Sequence, residues 1–215
     1  CTITVQSTIG RHTMFARFLR LLAPMAFLWS NSAAAQTETP RKGGTLSFAV
    51  IAEPPNFDCH GTTTFAVIHP VAPHYSLLLK YDPATYPAIV GDLAESWTVS
   101  TDGLVYTFKL HGGVKFHDGS TLTSEDVRAS FDRIAHPPQG VVSLRKSTME
   151  IFSAIETPDA STIVFKLTEP NASVLDTLAS PFNCIYSARK LAQNARYPET
   201  EIMGSGPFQF VEYVN

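Results

Sequence analysis

Nothing in this 215-residue sequence is apolar for long enough to cross a bilayer, which takes about 20 residues. The one apolar run near the N-terminus, Leu21–Trp29, falls well short. Two nucleotide and hydrolase signatures are also missing. No G-x-S-x-G turn is present to present a nucleophilic serine, and no G-x-x-x-x-G-K-[ST] loop to cradle phosphates. Charge is sparse at 16%, and its balance is acidic, with 16 Lys+Arg against 19 Asp+Glu. An acidic chain is a poor match for nucleic acid, whose partners are usually basic. Only three cysteines occur, and internal repeats and low-complexity stretches are absent. The remainder is rich enough in apolar residues, at 44%, to build a real core.

What is there begins with an export signal. Met14 reads as the start, with residues 1–13 an untranslated or artefactual upstream segment. Arg17 and Arg20, the apolar run, and the small residues Ser32, Ala33, Ala34 and Ala35 follow in the order of a cleavable secretory signal over 14–35. Cleavage after Ala35 removes three basic side chains and no acidic ones, so residues 36–215 carry 13 basic against 19 acidic groups. No cysteine sits just after the apolar run, so a lipid anchor there is not expected. A periplasmic, soluble, monomeric product with no membrane anchor is the expectation. In that oxidising compartment Cys59 and Cys184 can pair or remain separate thiols, since spacing does not fix connectivity.

Residues 36–42 read as a disordered leader. Gly43-Gly44 then release a strand over Thr45–Ile51, closed by Glu53-Pro54-Pro55-Asn56. Pro70 and Pro73 precede an expected helix over His74–Lys80. A hairpin follows, with Leu104–Leu110 as its second strand and Thr101-Asp102-Gly103 as its turn. His117-Asp118-Gly119 marks another turn. Thr123 and Asp126 then open a helix in the manner of a capping box, with Val127, Phe131 and Ile134 as its buried stripe. A second hairpin, Ile151–Thr157 with Thr162–Leu167, leads to short helices at Ser173–Ala179 and Ala188–Asn194. The alternation Phe208–Val214 predicts a last strand. Strands and helices without strict alternation give a mixed α/β, or α+β, fold class.

The chemistry-bearing residues are few. His111, His117 and Asp118 offer metal ligands for a hydrolase, the alternative reading, but their spacing matches no zinc pattern. Asp118 and Gly119 also have backbone reasons to stand in a turn. No cofactor and no catalytic set are called for, and a non-enzymatic binding protein is the expectation.

Several segments together carry a resemblance. Leu93-Ala94-Glu95-Ser96-Trp97 is followed by Ser100-Thr101-Asp102-Gly103-Leu104 and Tyr106-Thr107-Phe108-Lys109-Leu110. Gly113 to Gly119 (G-V-K-F-H-D-G) leads on to Leu122-Thr123-Ser124-Glu125-Asp126-Val127, and Gly204-Ser205-Gly206-Pro207-Phe208 comes near the end. This order resembles the family 5 extracellular solute-binding proteins, the dipeptide, oligopeptide and nickel type. The sequence departs at Phe57-Asp58-Cys59, where that family often reads Leu-Asp-Pro, and it is much shorter than family members.

The resemblance implies a two-lobed periplasmic-binding-protein fold. Of that fold, 43–215 would hold lobe one and an inserted subdomain at about 60–200, truncated at 215. It implies capture of a small solute, first of all an oligopeptide, by hinge closure and delivery to the permease subunits of an ABC importer. Nickel chelates, sugars, haem and opines stay open as ligands, and so does a sensor-coupled role. The loop Glu53, Asn56, Phe57, Asp58 and the strip Gly206, Pro207, Phe208 are the expected ligand contacts.

Overall fold

The computed structural model describes residues 49–50 and 52–213. The signal segment, the leader, Gly43-Gly44 and most of the expected strand over Thr45–Ile51 lie outside them.

The TDG and PDA turns fold two hairpins into one four-stranded antiparallel sheet. Its strands are β3 (Ala94–Val99), β4 (Val105–Leu110), β5 (Phe152–Asp159) and β6 (Thr162–Leu167), in the order β3-β4-β6-β5. Gly103 takes φ 71° at the first turn, a conformation that costs glycine little. Period-2 alternation puts Tyr106, Phe108 and Leu110 on one face of β4, where all three are buried. Phe108 stands opposite Ile163 across the β4–β6 ladder.

The helix α2 (Ser124–Ala135) lies on that face. Its start is secured by Asp126, whose carboxylate accepts the Thr123 backbone N–H at 2.8 Å and the Thr123 hydroxyl at 3.0 Å. The other Asp126 oxygen accepts Ala188 N–H at 2.8 Å, tying α2 to the start of α4 (Ala188–Gln193). Val127, Phe131 and Ile134 are fully buried. Phe131 and Phe108 each meet Phe165 edge-on, at 5.2 and 5.7 Å between ring centroids, a geometry the ring quadrupoles favour.

A second core gathers around Cys59 and Cys184, which are joined by a disulfide. It packs α1 (Phe65–Val71) against Tyr75, Tyr186 and Tyr197. The helix α3 (Val174–Leu178) adds Val174 and Leu178 to the sheet core.

Two expected elements are corrected. The helix at His74–Lys80 is not formed. The helical turns come earlier, as α1, capped by Thr64 Oγ1 on Ala66 N–H, and a 3-10 turn at Ala72–His74. Leu78 and Leu79 are adjacent yet both fully buried, which an extended chain between two packed layers allows. Their backbone is taken up by neighbours. Leu77 and Leu78 carbonyls accept from Leu93 and Ala94, and β1 (Leu79–Tyr81) pairs with β2 (Ile89–Gly91). The strand at Phe208–Val214 is also absent over its described part, 208–213. Its alternation is real, but no strand among the described residues lies alongside to complete a ladder.

Candidate functional site

The Gly204–Phe208 strip is laid directly across the turn after α1. Gly206 N–H donates to the His74 carbonyl at 3.0 Å, and Phe208 N–H to the Pro73 carbonyl at 3.3 Å. A Cβ on Gly206 would sit 2.5 Å from the Pro73 oxygen, and one on Gly204 would sit 2.1 Å from the His74 oxygen. Both glycines are therefore demanded by close backbone approach. Two imidazoles hold the same strip. His74 Nδ1 lies 2.8 Å from the Phe208 carbonyl, and His117 Nε2 lies 2.9 Å from the Gly206 carbonyl.

Two cavities open beside this crossing, and α1 with its following turn contributes to both. One, of about 330 Å³, is lined by Glu53, Pro54, Phe57, His74, Phe210 and Tyr213 with apolar neighbours. Phe57 packs against Phe210 at 6.0 Å and edge-on against Tyr213 at 5.6 Å. The Tyr213 hydroxyl donates to Glu53 at 2.5 Å. The other, of about 600 Å³, is lined by Phe65, Ile68, His69, Tyr75, Leu77, Pro181 and Pro207, with the Lys80–Asp92 ion pair at 2.8 Å among its polar groups. Mostly apolar walls with a few placed polar groups suit a small organic ligand.

The expected contact residues are thus divided. Glu53 and Phe57 line the smaller cavity and Pro207 the larger. Gly206 belongs to the crossing, and Phe208 stands exposed beside it. Asn56 lines neither cavity; its Oδ1 accepts Asp58 N–H at 3.0 Å and shapes the turn.

Asp58 is a correction. It is 2% exposed, and its carboxylate is consumed inside the fold. Arg133 reaches it through two nitrogens at 2.6 and 3.2 Å, Tyr186 donates its hydroxyl at 3.0 Å, and His60 its backbone N–H at 3.0 Å. Burial by itself would raise the carboxyl, but the Arg133 hydrogen bonds and the nearby positive charge outweigh it and hold Asp58 below the usual carboxylate range. His60, wholly buried beside it, is driven down to about 3, chiefly by desolvation. Its Nε2 faces the Cys184 carbonyl at 2.9 Å and its Nδ1 faces Arg133, as a neutral ring requires. Sequence reasoning missed this network. An arginine next to Ile134 on the buried side of α2 was the available signal.

The residues of the hydrolase alternative do not assemble. His117 is spent on the crossing strip. Asp118 accepts from Ser120 and pairs with Arg189 at 2.6 Å. His111 is exposed. Among the described residues no three His, Cys, Asp or Glu side chains are placed to hold a metal ion, and no helix is long and apolar enough to cross a membrane.

Comparison with known proteins agrees with the fold. The signature of the bacterial extracellular solute-binding proteins, family 5 (middle segment), matches residues 88–215. The chain belongs to this family. Di/tripeptide-binding protein 2 of Pseudomonas aeruginosa is 35% identical over 193 residues, covering 79% of this chain and 36% of that relative. A Brucella ovis protein provisionally named an ABC transporter peptide-binding protein is 42% identical over 132 residues, 59% of this chain and 24% of the relative. Among solved structures, the binding protein AgaA of A. tumefaciens R10 in complex with agropinic acid superposes with a TM-score of 0.69 at 34% identity, covering 75% of this chain and 32% of its own. The mixed α/β architecture is that of periplasmic binding proteins. The chain spans about a quarter to a third of the length of the relatives it matches.

Proposed function

We propose that this chain is part of the substrate-binding component of an ABC importer, a periplasmic protein that captures short peptides and presents them to permease subunits. The observation that carries the reading is the pair of apolar-walled cavities beside a backbone strip fixed by Gly204 and Gly206. The smaller cavity offers the aromatic faces of Phe57, Phe210 and Tyr213 to peptide side chains. Relatives named for di- and tripeptides, peptides and glutathione favour this ligand class over the opines and nickel chelates that other family structures hold.

In this reading Glu53, Phe57, Gly206, Pro207 and Phe208 form one wall of the ligand cleft, Asn56 shapes its loop, and the protein acts as a binder with no turnover of its own. Residues 14–35 serve as the export signal, 36–42 as a leader, and about 60–200 as a subdomain inserted into lobe one. The protein is a monomer free of the membrane after cleavage. A buried disulfide suits the oxidising periplasm. Ligand binds the closed arrangement better and so shifts the population toward it.

The test is a thermal-shift screen of the protein from the complete reading frame against di- and tripeptides, opines, nickel chelates and sugars. Ligand at a hundredfold excess over Kd adds about 2.7 kcal/mol of stability. A shift with short peptides that Phe57→Ala diminishes supports the reading. A shift with opines alone would move the ligand class, and hydrolysis without any shift would overturn binding as the function.

A further inference from the structure

We propose that His117 is a positioning residue of the ligand cleft, acting through Gly206 to set the path of the Gly206–Phe208 strip. The inference rests on the reading of that strip as a cleft wall. His117 sits in the G-V-K-F-H-D-G turn, 89 residues before its partner in sequence. It grips the strip twice. Its backbone N–H donates to the Gly204 carbonyl at 2.8 Å, and its Nε2 meets the Gly206 carbonyl at 2.9 Å. A carbonyl only accepts, so Nε2 carries the proton. The other ring nitrogen, Nδ1, is buried without a hydrogen-bond partner among the described residues. The ring therefore has one directional polar contact, and that contact is with the strip.

The remaining grips on the strip come from the opposite side, from Pro73, His74 and Ser76. Ser76 Oγ accepts from Ser205 Oγ at 3.0 Å. The strip is clasped between two elements far apart in sequence, and the His117 side is the only one of the two anchored in the turn that leads to α2. Backbone that must hold its position when a ligand arrives is worth clamping from both sides, because a misplaced contact costs affinity. The metal-ligand reading of His117 is replaced by this role, and Asp118 beside it serves Arg189 instead.

The experiment uses the protein from the complete reading frame, as wild type, His117→Ala and His117→Gln. Gln can bring an amide N–H to the same carbonyl. Three readouts are taken: long-range ¹⁵N–¹H NMR of the imidazoles, amide exchange at Gly206 and Phe208, and the Kd of trialanine. The proposal expects an Nε2–H tautomer for His117. For H117A it expects exchange at Gly206 and Phe208 faster by about tenfold and trialanine binding weaker by about fivefold to tenfold, the worth of one net hydrogen bond. Protection at Phe108 and Phe165 stays unchanged, and H117Q recovers most of both losses. Unchanged exchange at Gly206 in H117A, or equal loss throughout the sheet, overturns the proposal. So does faster local exchange with an unaltered Kd, which leaves His117 a local brace only. If wild type binds no trialanine, the peptide reading fails and so does the cleft role, whereas an intact peptide affinity in H117A sinks the His117 assignment alone.

Discussion

Replacing Asp58 by asparagine removes the carboxylate that faces Arg133 in the core. Both side chains are 3% exposed, and the guanidinium meets the carboxylate through two nitrogens. Asparagine keeps an oxygen for the Tyr186 hydroxyl and the His60 amide, so the hydrogen-bond loss is partial. The charge loss is complete, and an arginine left buried without its counter-charge typically costs about 3–5 kcal/mol. For a domain of about 150–250 residues each kcal/mol moves the midpoint by roughly 2–4 °C, so Asp58→Asn should lower the Tm of the domain that holds it by about 6–20 °C. Circular dichroism melts of the wild type and D58N decide it. A double variant, Asp58→Leu with Arg133→Met, should recover much of the loss, because removing both charges avoids the unpaired one. If D58N melts within about 2 °C of wild type while peptide affinity falls, Asp58 faces ligand and the burial argument is wrong.

Acid should destabilise the same knot. His60 has a folded value of about 3 against about 6.5 unfolded, so the unfolded chain takes up the proton first. The stability this contributes is complete above pH 6.5, is lost as pH falls toward 3, and amounts to about 5 kcal/mol. The lowered Asp58 carboxyl adds a loss in the same direction at lower pH. Denaturant titrations from pH 7 to pH 4 should follow that slope, and His60→Gln should flatten it. Removing the disulfide by Cys59→Ala with Cys184→Ala opens a cross-link spanning 125 residues and should cost about 5 kcal/mol in the chain-entropy model, read as a lower denaturation midpoint. Gly204→Ala places a methyl 2.1 Å from the His74 carbonyl. It should cost about 1–3 kcal/mol, whereas Gly112→Ala, with open space around it, should cost far less.

Much of the fold was legible because its signals are local. The TDG turn set the register of β3 with β4, and Thr123 with Asp126 marked the first residue of α2 within one position. Val127, Phe131 and Ile134 gave the buried face by spacing alone. Failures came where distant residues decide. Leu77-Leu78-Leu79 reads as apolar helix until Asp92, Leu93 and Ala94 arrive to take its backbone groups. Phe208–Tyr213 alternates like a strand, but a strand is made by its neighbour. At the site, Glu53, Phe57 and Pro207 were singled out from loop position, and they line the two cavities beside the strip. Asp58 could not be assigned correctly, because the arginine that claims it lies 75 residues away on the buried side of a helix. His74, Phe210 and Tyr213 joined the cavity lining for the same reason: their proximity is tertiary, not sequential.

The central claim is that this fold captures short peptides, and its most direct test is isothermal titration calorimetry of the protein from the complete reading frame with di- and tripeptides. The account predicts saturable one-to-one binding with a negative heat-capacity change from apolar burial, weakened by Phe57→Ala, and only feeble binding by residues 36–215 alone. No heat with any short peptide, together with turnover of a peptide bond that His117→Ala abolishes, would contradict it.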